Sequence, residues 1–596
     1  MHIIWKFIRG FLVLIGFSVV ALAAYGAYSM RDAHEPMPDK ITLAYTFYGS
    51  PEDAPASSNP LVNYFMPGDP TLAEVTDALY AGAKDPNVVA FVAQLAGGDY
   101  RWPDVQEVRE AIAAFRASGK KAYVFAESYG ELYPGMAEYY LASAFDEIWL
   151  QPVGTVAITG FHAEVPYFKG LLDKLGIVPD IIHKGDYKTA PESALLEHMS
   201  EEQRTTLHQI MSSMMTDFFD GVASGRKIPA ARLGQLIDGA PYTADEAKER
   251  NLVDRVGYMD QLMAQLIPDQ KSETEGFVDA VDYLYDEDGP VLDKVLKEEK
   301  ELTEKNHKKN AVALVYVSGL IVSDDLGQGK MYGDKMALAT DIGGAILDAA
   351  DDEDISAIIV RVDSPGGSPS ASEAIRRAIE VAKQKGKYVV VSMGSEAASG
   401  GYWVSVDADK IFAQSGTLTG SIGVFGGKAA FGALSEKAGV NWDSVALGEN
   451  AGIWSPVTPY SDTGRASVNR MLDDVYDAFI ARVAKGRNFA PDVVETMASG
   501  RVWTGRQAKE RGLIDEIGGL RQAMADVAKK IGVKDVEGME VILLPEDDRN
   551  IEEILGSMAS PLGVTEWLKP LTQSLVLQRN PGWGVTRMDS GIQVWH

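Results

Sequence analysis

Apolar and polar positions along the chain predict strands and helices in turn. Residues 310–318 form a Val-rich apolar run, and 337–350 carry apolar positions at helical spacing. The mostly apolar run 355–362 suits a strand buried on both faces. A helix is predicted over 370–385, a strand over 388–393 and another helix from Ser399. Strands alternating with helices predict an α/β fold with a mainly parallel sheet.

The pattern occurs twice. Ala247-Lys248-Glu249-Arg250-Asn251-Leu252-Val253-Asp254-Arg255-Val256-Gly257 returns 261 residues later as Ala508-Lys509-Glu510-Arg511-Gly512-Leu513-Ile514-Asp515-Glu516-Ile517-Gly518. Asp146-Glu147-Ile148-Trp149 answers Asp409-Lys410-Ile411-Phe412 at an offset of 263. Near-constant offsets in one order mean tandem homologous domains. The expected organisation is an N-terminal stub and membrane anchor over 1–31, an α/β domain over 40–285 and a charged linker over 286–309. A second α/β domain follows over 310–545, then a C-terminal extension over 546–596. Residues 571–596 carry no clear motif.

Length and composition narrow the function classes. A chain of 596 residues holds several domains, and 46% hydrophobic with 24% charged residues is globular. That excludes a disordered, collagen-like or multi-span membrane protein. A net charge of −29 argues against nucleic acid as a partner. Cysteine is absent, so a thiolate nucleophile, a disulfide and a cysteine metal site are excluded. Lys6 and Arg9 precede an uncharged run over 10–30. At 1.5 Å per residue it is long enough to cross a bilayer. Ala21-Leu22-Ala23 also resembles a signal-peptide cleavage site. Either reading puts the body of the chain outside the cytoplasm, with the positive flank inside.

The chemistry concentrates in three segments. In Ser395-Glu396-Ala397-Ala398-Ser399-Gly400-Gly401-Tyr402-Trp403, a serine stands where a strand gives way to a helix. Ser399 is either a nucleophile among small neighbours or only a helix N-cap. Asp363-Ser364-Pro365-Gly366-Gly367 ends a buried strand. Its glycines either aim backbone N–H groups into a site, as an oxyanion hole requires, or make a tight turn and nothing more. No histidine lies between His307 and His596, so the second copy has no histidine for Ser399. A lysine serves as base only if burial makes it neutral. Lys188, in Gly185-Asp186-Tyr187-Lys188-Thr189-Ala190, is the candidate, against the ordinary reading of a solvated side chain. At an offset of 263, Lys188 maps to Ala451 and Ser399 to Met136. Each copy therefore holds one member of the pair, as two domains sharing one active site would, though random drift produces the same pattern.

These segments, with Gly420-Ser421-Ile422-Gly423 and Trp503-Thr504-Gly505, resemble the signal peptide peptidase A family in its long, duplicated bacterial form. The resemblance covers most of the chain after residue 40. It implies two tandem Clp protease/crotonase-like domains and a single-pass protein of the bacterial inner membrane with its catalytic body in the periplasm. It implies a serine protease with a Ser–Lys dyad that degrades cleaved signal peptides and other extended apolar peptides. It implies Ser399 as nucleophile, Lys188 as general base, Ser421 as a lysine-positioning serine and the Gly367 and Gly400 N–H groups as oxyanion donors. It implies a homotetramer, and no metal or cofactor. The alternatives are a general envelope protease with the same chemistry, an inactive scaffold and a crotonase-type acyl-CoA enzyme.

Overall fold

The computed structural model describes residues 37–59, 62–63, 68–267, 276–285, 310–323 and 336–546. The expected anchor, the linker 286–309 and the extension beyond 546 lie outside them. Among the described residues no helix is long and apolar enough to cross a membrane.

Both halves build the same parallel sheet. In the first, six strands run in the order Arg255–Val256, Glu147–Leu150, Lys121–Ala126, Val88–Leu95, Ile41–Phe47 and Phe277–Asp279. In the second, the corresponding strands are Glu516–Ile517, Lys410–Ala413, Tyr388–Ala398, Ile355–Ser364, Ala311–Ser318 and Val541–Leu544. Local interactions repeat as well. Arg226 grips Asp254 and Arg487 grips Asp515. The Tyr139 hydroxyl donates to Leu252 O, and Tyr402 to Leu513 O.

Strand Ile355–Ser364 shows why the apolar run becomes a doubly buried strand. Successive side chains point to opposite faces. Ile358, Val360 and Val362 enter one core beside helices Ala339–Asp351 and Pro369–Gln384. Ala357 and Ile359 enter another, under helix Leu520–Ile531. Each fully buried aliphatic side chain contributes about 1.5–3 kcal/mol. Helix Pro369–Gln384 starts where Ser368 caps it and Pro369 fits its first turn.

Two sequence expectations are corrected. The strand expected to end at Met393 continues to Ala398, because Glu396–Ala398 pairs with a further strand, Leu418–Gly420. The offset of 263 set Met136 opposite Ser399, but Gly135 caps helix Met136–Ala142 as Ser399 caps helix Gly400–Ser405. The local offset is therefore 264, and a glycine replaces the serine.

The two halves pack tightly. Strand Val178–Lys184 of the first copy pairs antiparallel with Val424–Ala430 of the second. Arg361, 1% exposed inside the second copy's sheet, reaches Asp53 at 2.6 Å and Glu107 at 2.8 Å in the first. Such a triad costs desolvation, which its mutual attraction and hydrogen bonds offset in part, while Asp53 Oδ2 is buried with no hydrogen-bond partner among the described residues. Arg361 also donates to Ser392 Oγ at 2.8 Å.

Candidate active site

Ser399 follows strand Tyr388–Ala398 and opens helix Gly400–Ser405. Its φ of 54° and ψ of −114° are a conformation that costs a non-glycine residue about 1–3 kcal/mol. Backbone bonds hold it there: its N–H donates to Gly420 O and its carbonyl accepts from Trp403 N, both at 2.9 Å. Ser399 occupies the N-cap position, yet its side chain makes no capping bond. The hydroxyl meets Lys188 Nζ at 3.0 Å instead.

Lys188 arrives from the other copy, on the loop after strand Val178–Lys184. Its Nζ contacts Ser399 Oγ, Ser421 Oγ at 2.9 Å and Ser421 O at 3.1 Å. It is 5% exposed, which removes the solvated-surface reading. Burial pulls its pKa from 10.5 down to about 8, and the Glu396 charge opposes that shift. Burial raises the Glu396 pKa in turn, with Asp363 adding to the rise and Lys188 resisting it. Ser421, at φ 52°, is held by its N–H bond to Arg501 O at 2.7 Å.

The Ser364–Gly367 turn lies against the serine. Ser364 Oγ donates to Gly319 O at 2.6 Å and accepts from Gly366 N at 3.1 Å. Gly367 has φ +154°, and a β-carbon there would fall 2.0 Å from Ile321 O, so only glycine fits. A β-carbon on Gly400 would lie 3.0 Å from Gly367 N, which places Gly400 next to the Gly367 amide. Among the described residues neither amide meets a protein acceptor. All five residues singled out in the sequence thus gather in one place, around a lysine able to be neutral near pH 8.

Two contributors escaped the sequence reading. Segment Ser499-Gly500-Arg501 grips the lysine loop: Tyr187 N donates to Ser499 O at 2.8 Å, and the Arg501 guanidinium stacks on Tyr187. Its only local signal is a Ser-Gly pair between a helix and a strand. Glu396 is the second, hidden in the nucleophile segment as one polar residue among small ones. The arrangement suits nucleophilic acyl transfer: a serine, a base within hydrogen-bond reach and adjacent backbone donors.

Peptidase family S49 matches the chain at residues 114–272 and 381–534, once in each copy. Protease 4 of Haemophilus influenzae is 32% identical over 467 residues, covering 76% of this chain and 71% of that protein. Protease 4 of Salmonella typhi is 32% identical over 476 residues, covering 78% and 72%. The chloroplastic serine protease SPPA of Arabidopsis thaliana is 27% identical over 509 residues, covering 85% and 73%.

Proposed function

The chain belongs to peptidase family S49 and is a serine protease, and on that premise we propose that Ser399 and Lys188 form its catalytic dyad and that cleaved signal peptides are its substrates. The observation that carries the dyad is the 3.0 Å contact between Lys188 Nζ and Ser399 Oγ across the two copies.

In this reading neutral Lys188 takes the Ser399 proton as the hydroxyl attacks a peptide carbonyl. The N–H groups of Gly367 and Gly400 stabilise the oxyanion. Lys188 then protonates the leaving amine and activates the water that hydrolyses the acyl-enzyme. Ser421 holds the ammonium in register. The substrate assignment is supported by the resemblance to signal peptide peptidase A.

The wider setting belongs to the same proposal. Each copy is a Clp protease/crotonase-like unit, a reading supported by its parallel sheet and by the glycine loop beside the serine. The uncharged run 10–30 anchors the chain in the inner membrane, with the body periplasmic. The chain assembles as a homotetramer. Exposed Trp442, Val445, Leu447 and Trp454 support an assembly face on the second copy.

Ser399→Ala and Lys188→Ala, made separately, are expected to abolish cleavage of a signal peptide while the proteins stay folded. Substantial activity in either variant, or fluorophosphonate labelling at another residue, overturns the dyad. Peptides trapped in vivo by Ser399→Ala separate signal-peptide turnover from general envelope proteolysis.

A further inference from the structure

We propose that Arg101 is a positioning residue that couples docking of the first copy to the geometry of the second copy's serine and glycine loop. The proposal rests on the reading of Ser399 as nucleophile.

Arg101 is the N-cap residue of helix Trp102–Ala117 in the first copy, and its side chain makes no capping bond. The guanidinium instead closes a ring across the interface. Its Nε lies 2.6 Å from Asp104 Oδ2. Asp104 Oδ1 accepts from the Ser395 hydroxyl at 2.9 Å. The next residue, Glu396, donates its backbone N–H to Asp363 Oδ1 at 2.9 Å. Asp363 Oδ2 accepts from Arg101 Nη1 at 3.1 Å and completes the ring. Nη2 ties the ring to the first copy's own backbone at Pro51 O, 2.9 Å away.

The ring is placed where it governs two catalytic segments together. Ser395 and Glu396 lie just upstream of Ser399 on one strand. Asp363 immediately precedes the Ser364–Gly367 turn on the neighbouring strand. These strands are in register through Val362↔Met393, after which the register shifts before Ser364↔Ala397. The irregularity removes regular ladder bonds where the two loops must be held in relative position. Asp363 supplies a replacement by accepting the Glu396 N–H, and Arg101 fixes Asp363. A planar guanidinium with donors in a rigid fork can hold two carboxylates at a set separation, which a single ammonium does less well. Asp104 is almost fully buried and Asp363 mostly so, while the Arg101 side chain is 31% exposed, so the ring is only partly shielded from solvent competition. Arg116, on the same helix, pairs with Asp146 at 3.0 Å within the first copy. That pair has no link to the catalytic segments, which makes it a matched control.

The test compares full-length Arg101→Met, Arg101→Lys and Arg116→Met in detergent. The readouts are kcat and KM on a signal peptide, the rate of fluorophosphonate labelling at Ser399 and the melting temperature. Arg101→Met is expected to lower kcat and the labelling rate at least tenfold with KM within twofold. Arg101→Lys should recover part of that loss, and Arg116→Met should change neither rate more than twofold. Folded Arg101→Met with kcat and labelling rate within twofold of the parent overturns the proposal, as does an equal loss in Arg116→Met. Full activity in Ser399→Ala is a separate result that overturns the nucleophile assignment instead.

Discussion

Gly500 packs directly against the backbone of Lys188: a β-carbon on Gly500 would lie 2.4 Å from the Lys188 nitrogen and 2.6 Å from its Cα. Gly500 also has φ +80°, which L side chains rarely adopt. Gly500→Ala must therefore displace the lysine loop. A misplacement of about 1 Å costs on the order of 10²-fold in rate. Steady-state kinetics on a signal peptide should show that loss in kcat, with Ser399 still present and the protein folded.

The pH dependence follows from Lys188. As the proposed base it works in its neutral form, and with a pKa of about 8 roughly a tenth is neutral at pH 7. kcat/KM should climb with pH and level off above about 8. The Glu396 charge favours the ammonium and so raises the lysine pKa. Glu396→Gln removes it, and the rising limb should move to lower pH. A limb that stays in place or moves upward contradicts the assignment.

Burying Lys188 also lowers stability. Its folded pKa lies below the unfolded value of 10.5. Between about pH 8 and 10.5 the unfolded chain binds more protons, so stability rises with pH there. Below about pH 8 the whole penalty is present, roughly 3 kcal/mol. Lys188→Met should abolish activity yet raise stability at pH 7 by about 1–3 kcal/mol, the lost hydrogen bonds offsetting part of the gain. Denaturant titration at pH 7 measures it, and the gain should shrink by pH 10.

Arg361 pairs with both Asp53 and Glu107 across the interface. Arg361→Met would leave two buried carboxylates without their partner, at a cost of about 3–5 kcal/mol. Adding Asp53→Asn and Glu107→Gln should recover a large part of it. Thermal unfolding of the single and triple variants tests this; a triple variant no more stable than the single one refutes the electrostatic account.

Much of the architecture was legible because its causes are local. Doubly apolar strands, helical spacing and the repeat all appear as residue patterns. The boundaries of helix Pro369–Gln384 and strand Ala311–Ser318 came within one residue of expectation. Strand Tyr388–Ala398 did not, because Gly394-Ser395-Glu396 has weak strand propensity and the strand is carried on by the pairing of Glu396–Ala398 with Leu418–Gly420. Arg361 contradicts its apolar surroundings until Asp53 and Glu107 arrive from the other copy.

The sequence by itself determined the repeated α/β plan, the glycine turn and a serine at a strand-to-helix junction. Each depends on backbone preferences and on periodicity over a few residues. Only the tertiary structure decided what the serine hydroxyl touches and how Lys188 becomes able to act as a base. It alone brought Ser499–Arg501 and Arg101 to the site. Those outcomes depend on distances across two packed copies and on the removal of water from an ammonium group, and neither leaves a mark in the residues that flank it.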